Sequence, residues 1–210
     1  VRCRRLVVWL LGVALSGALP AAWAQNAPQV VPAALQRIPT PSRIVTPVNE
    51  NIRITLRGNT HPLARPQNDQ GRVNDSMLLE RITLIFKPTA AQQADLDALL
   101  ADLQNPTSPN YRRWLTPDQV GSRFGLSQND LIKVVTWLEG QGFRIVETPS
   151  NRRWVVFEGT AAEVQTALRT EIHRYVVNGE AHFANSTDPS LPAALADVAA
   201  GFHGLTDFHP

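Results

Sequence analysis

Two strand-like stretches in this chain run almost directly into a threonine that opens a helix, and that succession limits the available folds more than any other feature. Arg81-Ile-Thr-Leu-Ile-Phe86 places Ile82, Leu84 and Phe86 on one face and ends at Pro88, just before Thr89-Ala-Ala-Gln92. Arg153-Trp-Val-Val-Phe-Glu158 is followed in the same way by Thr160-Ala-Ala-Glu163. In each tetrad the threonine hydroxyl and the closing amide or carboxylate satisfy backbone N–H groups left free at a helix start. A period of two that gives way to a period of 3.6 at such a box marks a strand feeding a helix. The chain is therefore read as a layered α+β structure.

The other elements extend this pattern. Leu96, Leu99, Leu100 and Leu103 recur at i, i+3, i+4 and i+7, which predicts an amphipathic helix ending by Asn105-Pro106. Thr116-Pro117-Asp-Gln119 starts a short helix edged by Val120 and Phe124, with Gly125 expected to close it in the left-handed conformation. Ser127 caps a longer helix carrying Leu131, Val134, Val135 and Leu138, stopped by Gly140 and Gly142. Strands are expected at Phe143–Glu147 and Arg153–Glu158, joined by Pro149-Ser-Asn151, and the helix opened by Thr160 buries Val164, Ala167 and Leu168. Strands at Glu171–Val177 and Glu180–Ala184 flank Asn178-Gly179, a strong hairpin signal. The order β, α, short α, α, β, β, α, β, β contains a βαββαβ skeleton. That is the split βαβ or ferredoxin-like arrangement, an antiparallel sheet with helices packed on one face.

The N-terminus has a different character. Arg2-Cys-Arg-Arg5, an apolar run from Leu6 to Leu19, and Ala22-Trp-Ala24 mark residues 1–24 as a signal peptide cleaved after Ala24. The apolar run is shorter than the roughly 20 residues that span a bilayer, so no membrane association is expected after cleavage, and the mature chain is expected to be secreted or periplasmic. The single cysteine, Cys3, falls in this leader, which leaves the mature chain without a disulfide or a thiol nucleophile. Residues 25–77 form an extended, proline-rich lead-in in which only Asn51–Arg57 alternates enough to add an edge strand. The folded core is expected over residues 78–184. Residues 185–210 read as a tail with Pro189, Pro192 and Pro210 and a small helical candidate at Ala193–Ala200.

Composition excludes several functions. The formal net charge of +2 comes from 20 basic and 18 acidic residues, but Arg2, Arg4 and Arg5 lie in the leader; without them the count is 17 against 18. Trp154 and Phe157 point to opposite faces of their strand. The basic, aromatic-studded sheet of an RNA-binding module is thus missing, and no nucleic-acid partner is expected. There is no Gly-x-Ser-x-Gly and no Gly-rich phosphate loop, and the five histidines lack metal-ligand spacing. No catalytic, cofactor-binding or metal-binding residue is assigned, and no cofactor is expected in this chain. Asp95 and Asp97 read as a solvated helix face.

What remains is Pro109-Asn-Tyr111-Arg-Arg-Trp114-Leu-Thr-Pro117, an aromatic and arginine cluster between two helices. Tyr111 and Trp114 either fill the gap between those helices or, with Arg112 and Arg113, form a docking surface of the kind found at interface hot spots. A two-residue turn at Asn178-Gly179 pairs Val177 with Glu180 and Tyr175 with His182. His173 then lies diagonally from His182 on the same face, a candidate pH-sensing pair.

These residues resemble a known family. Asn105–Tyr111, Trp114-Leu-Thr-Pro117, Arg123-Phe-Gly125, Trp137–Phe143, Phe157–Ala162, Glu171–Tyr175, Asn178-Gly179, Ala184-Asn185 and Asp188–Pro192 are similar to the activation prodomain of the sedolisin family. These are the serine-carboxyl peptidases, including the kumamolisins. The likeness is collinear from about Leu78 to Phe208, and Leu56–Leu63 resembles the lead-in of bacterial members. The resemblance implies a propeptide that assists folding of a peptidase domain, covers its cleft and is removed on acidification. The partner it implies is a cognate peptidase domain, in cis, which would carry the Ser-Glu-Asp triad, the oxyanion aspartate and a calcium site; none of those motifs is present here.

Three expectations follow. The sheet or its helices dock on the peptidase while the tail runs extended through its cleft. Arg–carboxylate pairs between the two domains fail as pH falls toward about 4. His173 and His182 charge below about pH 6.5 and repel. A free-standing secreted inhibitor or binding protein that reuses the fold is the alternative, and the coding sequence beyond Pro210 separates the two. Asn185-Ser-Thr187 is also a glycosylation sequon by pattern.

Overall fold

The computed structural model describes residues 40–208, so the expected signal peptide and the first part of the lead-in lie outside the described residues, as do His209 and Pro210. In chain order the elements are β1 (Arg53–Thr55), β2 (Asp69–Arg72), β3 (Leu78–Phe86), α1 (Ala90–Gln104), α2 (Pro117–Phe124), α3 (Gln128–Gly140), β4 (Arg144–Glu147), β5 (Trp154–Thr160), α4 (Ala161–Leu168), β6 (Ile172–Val177), β7 (Glu180–Asn185), β8 (Ser190–Pro192) and β9 (Ala199–His203). No helix among the described residues is long and apolar enough to cross a membrane. The chain is α+β, with antiparallel sheets throughout.

Local chemistry sets the helix starts. Thr89, Thr116 and Thr160 each accept a hydrogen bond from the backbone N–H three residues on, while Gln92, Gln119 and Glu163 accept from the threonine's own N–H. Ser127 accepts from the N–H of Asp130 at the start of α3. Gly142 closes α3 with φ +98°, where a side chain would be strained. Gly125 departs from expectation: its φ is −81°, not left-handed. Its lack of a side chain serves packing instead, because a Cβ there would lie 2.4 Å from the carbonyl oxygen of Asn151.

The main sheet has the order β4-β5-β3-β9. Ile82, Leu84, Val155 and Phe157 face Leu131, Val134 and Leu138 of α3 and Val164, Ala167 and Leu168 of α4 in one buried cluster. Here the expectation is corrected. The strand after α4, β6, joins a separate three-stranded sheet with β2 and β7, and the neighbour of β3 is β9, from the tail. Residues 193–200 are not a helix: Ala193–Leu195 forms one turn of 3-10 helix and Ala199 already belongs to β9. Nor is the tail extended and free, since Leu191, Leu195, Val198 and Leu205 are buried. An alternating strand and an apolar tail of similar length compete for one sheet edge, and periodicity alone does not choose between them.

Two further segments take places the periodicity did not assign. α1 packs on α2 through Leu96, Leu99, Leu103, Leu115, Val120 and Phe124, a satellite cluster apart from the main core, so α1 is not one of the helices layered on the sheet. The lead-in also enters the core. Ile44, Leu56 and Val73 are buried, and β1 pairs with β8. Asp188 accepts hydrogen bonds from the backbone N–H groups of Gly58 and Asn59 and from the Thr60 hydroxyl. Arg53 donates to the carbonyls of Ala167 and Ser190. No break in packing falls at Leu78.

Candidate functional site

The cluster at residues 111–114 sits at the end of the α1–α2 arm, and local hydrogen bonds shape it. The carboxamide oxygen of Asn105 accepts from the N–H and the hydroxyl of Thr107, and Asn110 Nδ2 donates to Asp102. Arg112 turns the chain back with φ +56°, and its N–H reaches the carbonyl of Leu103 at 3.1 Å. Its guanidinium lies 5.0 Å from the centre of the Tyr111 ring, a cation–π contact. Tyr111 is half-buried, while Arg112, Arg113 and Trp114 are exposed. Trp114 is 70% exposed, so it does not fill the gap between the helices; Leu115, with Leu99, Leu103 and Phe124, does. Neither Arg112 nor Arg113 makes an ion pair among the described residues. The other arginine of the arm, Arg123, is bidentate to Asp95 at 2.6 and 2.5 Å, and that guanidinium holds the Asp95 carboxyl below its ordinary range.

The main sheet supplies a second surface. α3 and α4 cover one face, and strand alternation turns the intervening residues to the other. Register places His203, Thr83, Val156 and Glu147 in one row across β9, β3, β5 and β4, and Gly201, Ile85 and Trp154 in the next. Ile85 is 44% exposed, Trp154 is half-buried and Val156 is buried. Arg144 pairs with Glu158 at one margin, and Arg81 approaches Glu147 at 3.8 Å. An apolar centre framed by ion pairs is the composition of a protein-binding face. Sequence alternation sets Trp154 and Phe157 on opposite faces but does not show that Ile85 stays 44% exposed on the Trp154 face, beside the buried Val156.

The candidate pair, His173 and His182, lies on the smaller sheet. The pairs Val177–Glu180 and Tyr175–His182 are observed as the turn predicts. His173, however, sits between two carboxylates, with Nδ1 2.8 Å from Asp69 and Nε2 3.1 Å from Glu171. Burial opposes its charged form, but hydrogen bonds and charge from Glu171 and Asp69 outweigh it and raise its pKa above the ordinary 6.5. Asp69 moves the other way: despite burial, the Gly71 N–H and His173 hold it below the ordinary 3.8. His182 faces Asp207 at 3.4 Å and stacks on Phe208, whose other neighbour in the stack is His61, with centroids 4.3 and 4.5 Å apart. Each histidine thus has acidic partners of its own, and no ring contact among the described residues joins the two. The sandwich around Phe208 had no signal in the sequence, because its three rings come from three distant segments.

No group of three or more metal-ligating side chains occurs among the described residues. Asn185 of the sequon is fully buried, and its Nδ2 donates to the carbonyls of Asn59 and Thr187. It is a structural amide.

The profile of the family described as "Pro-kumamolisin, activation domain" matches residues 67–208, more than half of the chain. The chain belongs to the pro-kumamolisin activation-domain family. Distant, partial homology to sedolisin-family peptidases accompanies that match. The chain is 36% identical to xanthomonalisin of Xanthomonas sp. (strain T-22) over 110 residues, 52% of this chain and 13% of that protein. It is 27% identical to sedolisin of Pseudomonas sp. (strain 101) over 121 residues, covering 56% of this chain and 21% of the relative. It is also 28% identical to mouse tripeptidyl-peptidase 1 over 143 residues, 67% of this chain and 25% of that protein. The matches span a quarter or less of the relatives' own lengths. The activation-domain profile covers the satellite arm, the main sheet and the buried Val73 of the lead-in but begins only at residue 67, after Ile44 and Leu56.

Proposed function

We propose that this chain is the propeptide of a secreted sedolisin-type serine-carboxyl endopeptidase, acting as a folding chaperone and cleft-covering inhibitor that is released by proteolysis at acid pH. The observation that carries the reading is the match of residues 67–208 to an activation domain. The open face of the main sheet supports it: Ile85 and Trp154 offer apolar contact, and the paired charges at the margin allow register to be set. The exposed Trp114, with Arg112 and Arg113 beside it, is a second contact, since both cations are available to carboxylates of a partner. Such inter-domain pairs lose their anions as pH falls toward about 4, which weakens the cover in acid. The tail as far as Phe208 is folded into the core, so the cover is formed by the folded domain and not by an extended stretch of that tail. The Arg2–Ala24 leader supports export. The main sheet also supports a ferredoxin-like reading in which α3 and α4 are the two layered helices, β9 is the last strand, and α1–α2 is an insertion.

The test mixes the purified chain with a separately produced sedolisin-type peptidase domain, at neutral pH and in acid. The expected result is inhibition and a higher refolding yield at neutral pH, both diminished in acid. A chain that neither inhibits nor raises the refolding yield at any pH overturns the reading.

A further inference from the structure

The lead-in between Thr40 and Leu56 runs along α3 as a strap. Near its start, the Asp130 carboxylate, fully buried at the first turn of α3, accepts the N–H of Arg43 at 2.7 Å, the N–H of Ile44 at 3.1 Å and the hydroxyl of Ser42. Lys133, one turn on, donates to the carbonyl of Ile44. Glu50 then meets Trp137 Nε1 and Gln141. At the far end Arg53 ties the strap to α4 and β8. Between these anchors the strap is mostly solvated, and Val45 and Ile52 are exposed.

We propose that residues 40–52 are a latch held shut by the Asp130 carboxylate, and that protonating this one group frees the strap before the main sheet unfolds. Two features argue for local release. Residues 40–52 belong to no strand ladder and bury Ile44 with only Val48 partly beside it, whereas β3 is paired on both sides; segments with few buried contacts open at the lowest cost. A protonated carboxyl also keeps fewer acceptor sites and carries a proton of its own, so it cannot hold two amides and a hydroxyl as the anion does. The charged side chains on and around the latch are Arg43 and Glu50 on the strap, Arg53 just beyond it, Lys133 on α3 and Asp197 on the tail; the Arg43 guanidinium also donates to the backbone carbonyls of Lys87 and Asp197. Arg43 and Lys133 favour the Asp130 anion, Asp197 lies against Arg43, and Glu50 is paired with Arg53. Burial alone would raise the Asp130 pKa, but bonds from Ser42, Arg43, Ile44 and Ser127 hold it below the ordinary 3.8. The strap is therefore secured above pH 3.8 and loses its hold as pH falls through the lowered value. Opening uncovers α3 along Asp130, Lys133 and Trp137. The device lies within this chain and does not depend on a peptidase partner.

Hydrogen exchange on the 210-residue chain between about pH 2 and about pH 7, read as protection factors, tests this. The Arg43 and Ile44 amides are expected to lose protection at a higher pH than the Leu84 and Phe157 amides. In Asp130→Asn their protection near neutrality should drop roughly tenfold or more, with Leu84 unchanged, because a carboxamide offers one acceptor oxygen and no charge. Simultaneous loss in strap and sheet at every pH, or a variant as protected as the parent, overturns the proposal. If Asp130→Asn does not fold, the parent's pH series decides alone, and Ser42→Ala, which keeps the carboxylate, should shift strap opening to higher pH.

Discussion

The backbone N–H of Arg43 donates to Oδ2 of Asp130 at 2.7 Å, joining residues 87 positions apart. A carboxylate in the first turn of a helix ordinarily serves its own free amides or the helix dipole. Here it serves the lead-in, and the first turn of α3 is left to Ser127. That arrangement ties residues before the family-matched span into the same core as those within it.

The lead-in should therefore matter to stability. Ile44 is fully buried in the main cluster, and Ile44→Ala is expected to cost about 3 kcal/mol. Urea unfolding of the two chains measures it. A difference within experimental error would mean that the lead-in is dispensable.

The tryptophans should separate folding from binding. Trp137 is 6% exposed and hydrogen-bonded, whereas Trp114 is 70% exposed. Trp137→Ala should destabilise the chain by about 4 kcal/mol. Trp114→Ala should stay within about 0.5 kcal/mol of the parent but weaken inhibition of a sedolisin-type peptidase roughly tenfold. Denaturant midpoints and inhibition constants distinguish the two variants.

The pair of His173 and Asp69 should act opposite to a histidine-repulsion trigger. His173 has a folded pKa above its ordinary 6.5, so its contribution is complete below 6.5 and disappears as pH rises through the folded value. Asp69 has a folded pKa below 3.8, so its contribution is complete above 3.8 and disappears as pH falls through that lowered value. The stability lost in His173→Gln should thus be greatest between pH 3.8 and 6.5 and shrink on either side, as urea midpoints across pH will record. A loss growing steadily toward alkaline pH would sink this assignment.

Gly121 tests the seat of α2. A Cβ there would lie 2.1 Å from the carbonyl oxygen of Ser150, backbone that cannot swing aside. Gly121→Ala is expected to cost about 2 kcal/mol by forcing α2 away from the turn before β5. A thermal midpoint unchanged from the parent would mean the turn yields freely.

Much of the fold was legible in the residues. All three capping boxes, the cap at Ser127, the alternation of β3 and β5 and the hairpin at Asn178-Gly179 are present in the structure. The docking candidates were readable as types: Tyr111, Arg112, Arg113 and Trp114 stood out as aromatics and cations in a connection, and Trp114 is indeed exposed. The errors concern partnership. β6 looked like the last strand of the main sheet because it follows α4 and alternates well, yet β9 holds that place. α1 looked like a sheet-covering helix because its leucines form a stripe, but that stripe meets α2 and Leu115. The strap looked like a linker because prolines dominate its composition, although Ile44 is buried in the main core and Asp130, Lys133 and Trp137 of α3 bond to residues along it.

The sequence by itself determined where helices begin, which strands alternate, where the hairpin turns and to which family the chain belongs. Those features depend on atoms within a few residues of one another, or on the ordered succession of motifs along the chain. Only the tertiary structure decided which strand completes the main sheet, which helix stands apart, what holds the lead-in and which face of the sheet is left open. Each of those outcomes depends on hydrogen bonds and buried contacts between residues tens of positions apart. Shape and register select among such pairings, and a hydrophobic period carries neither.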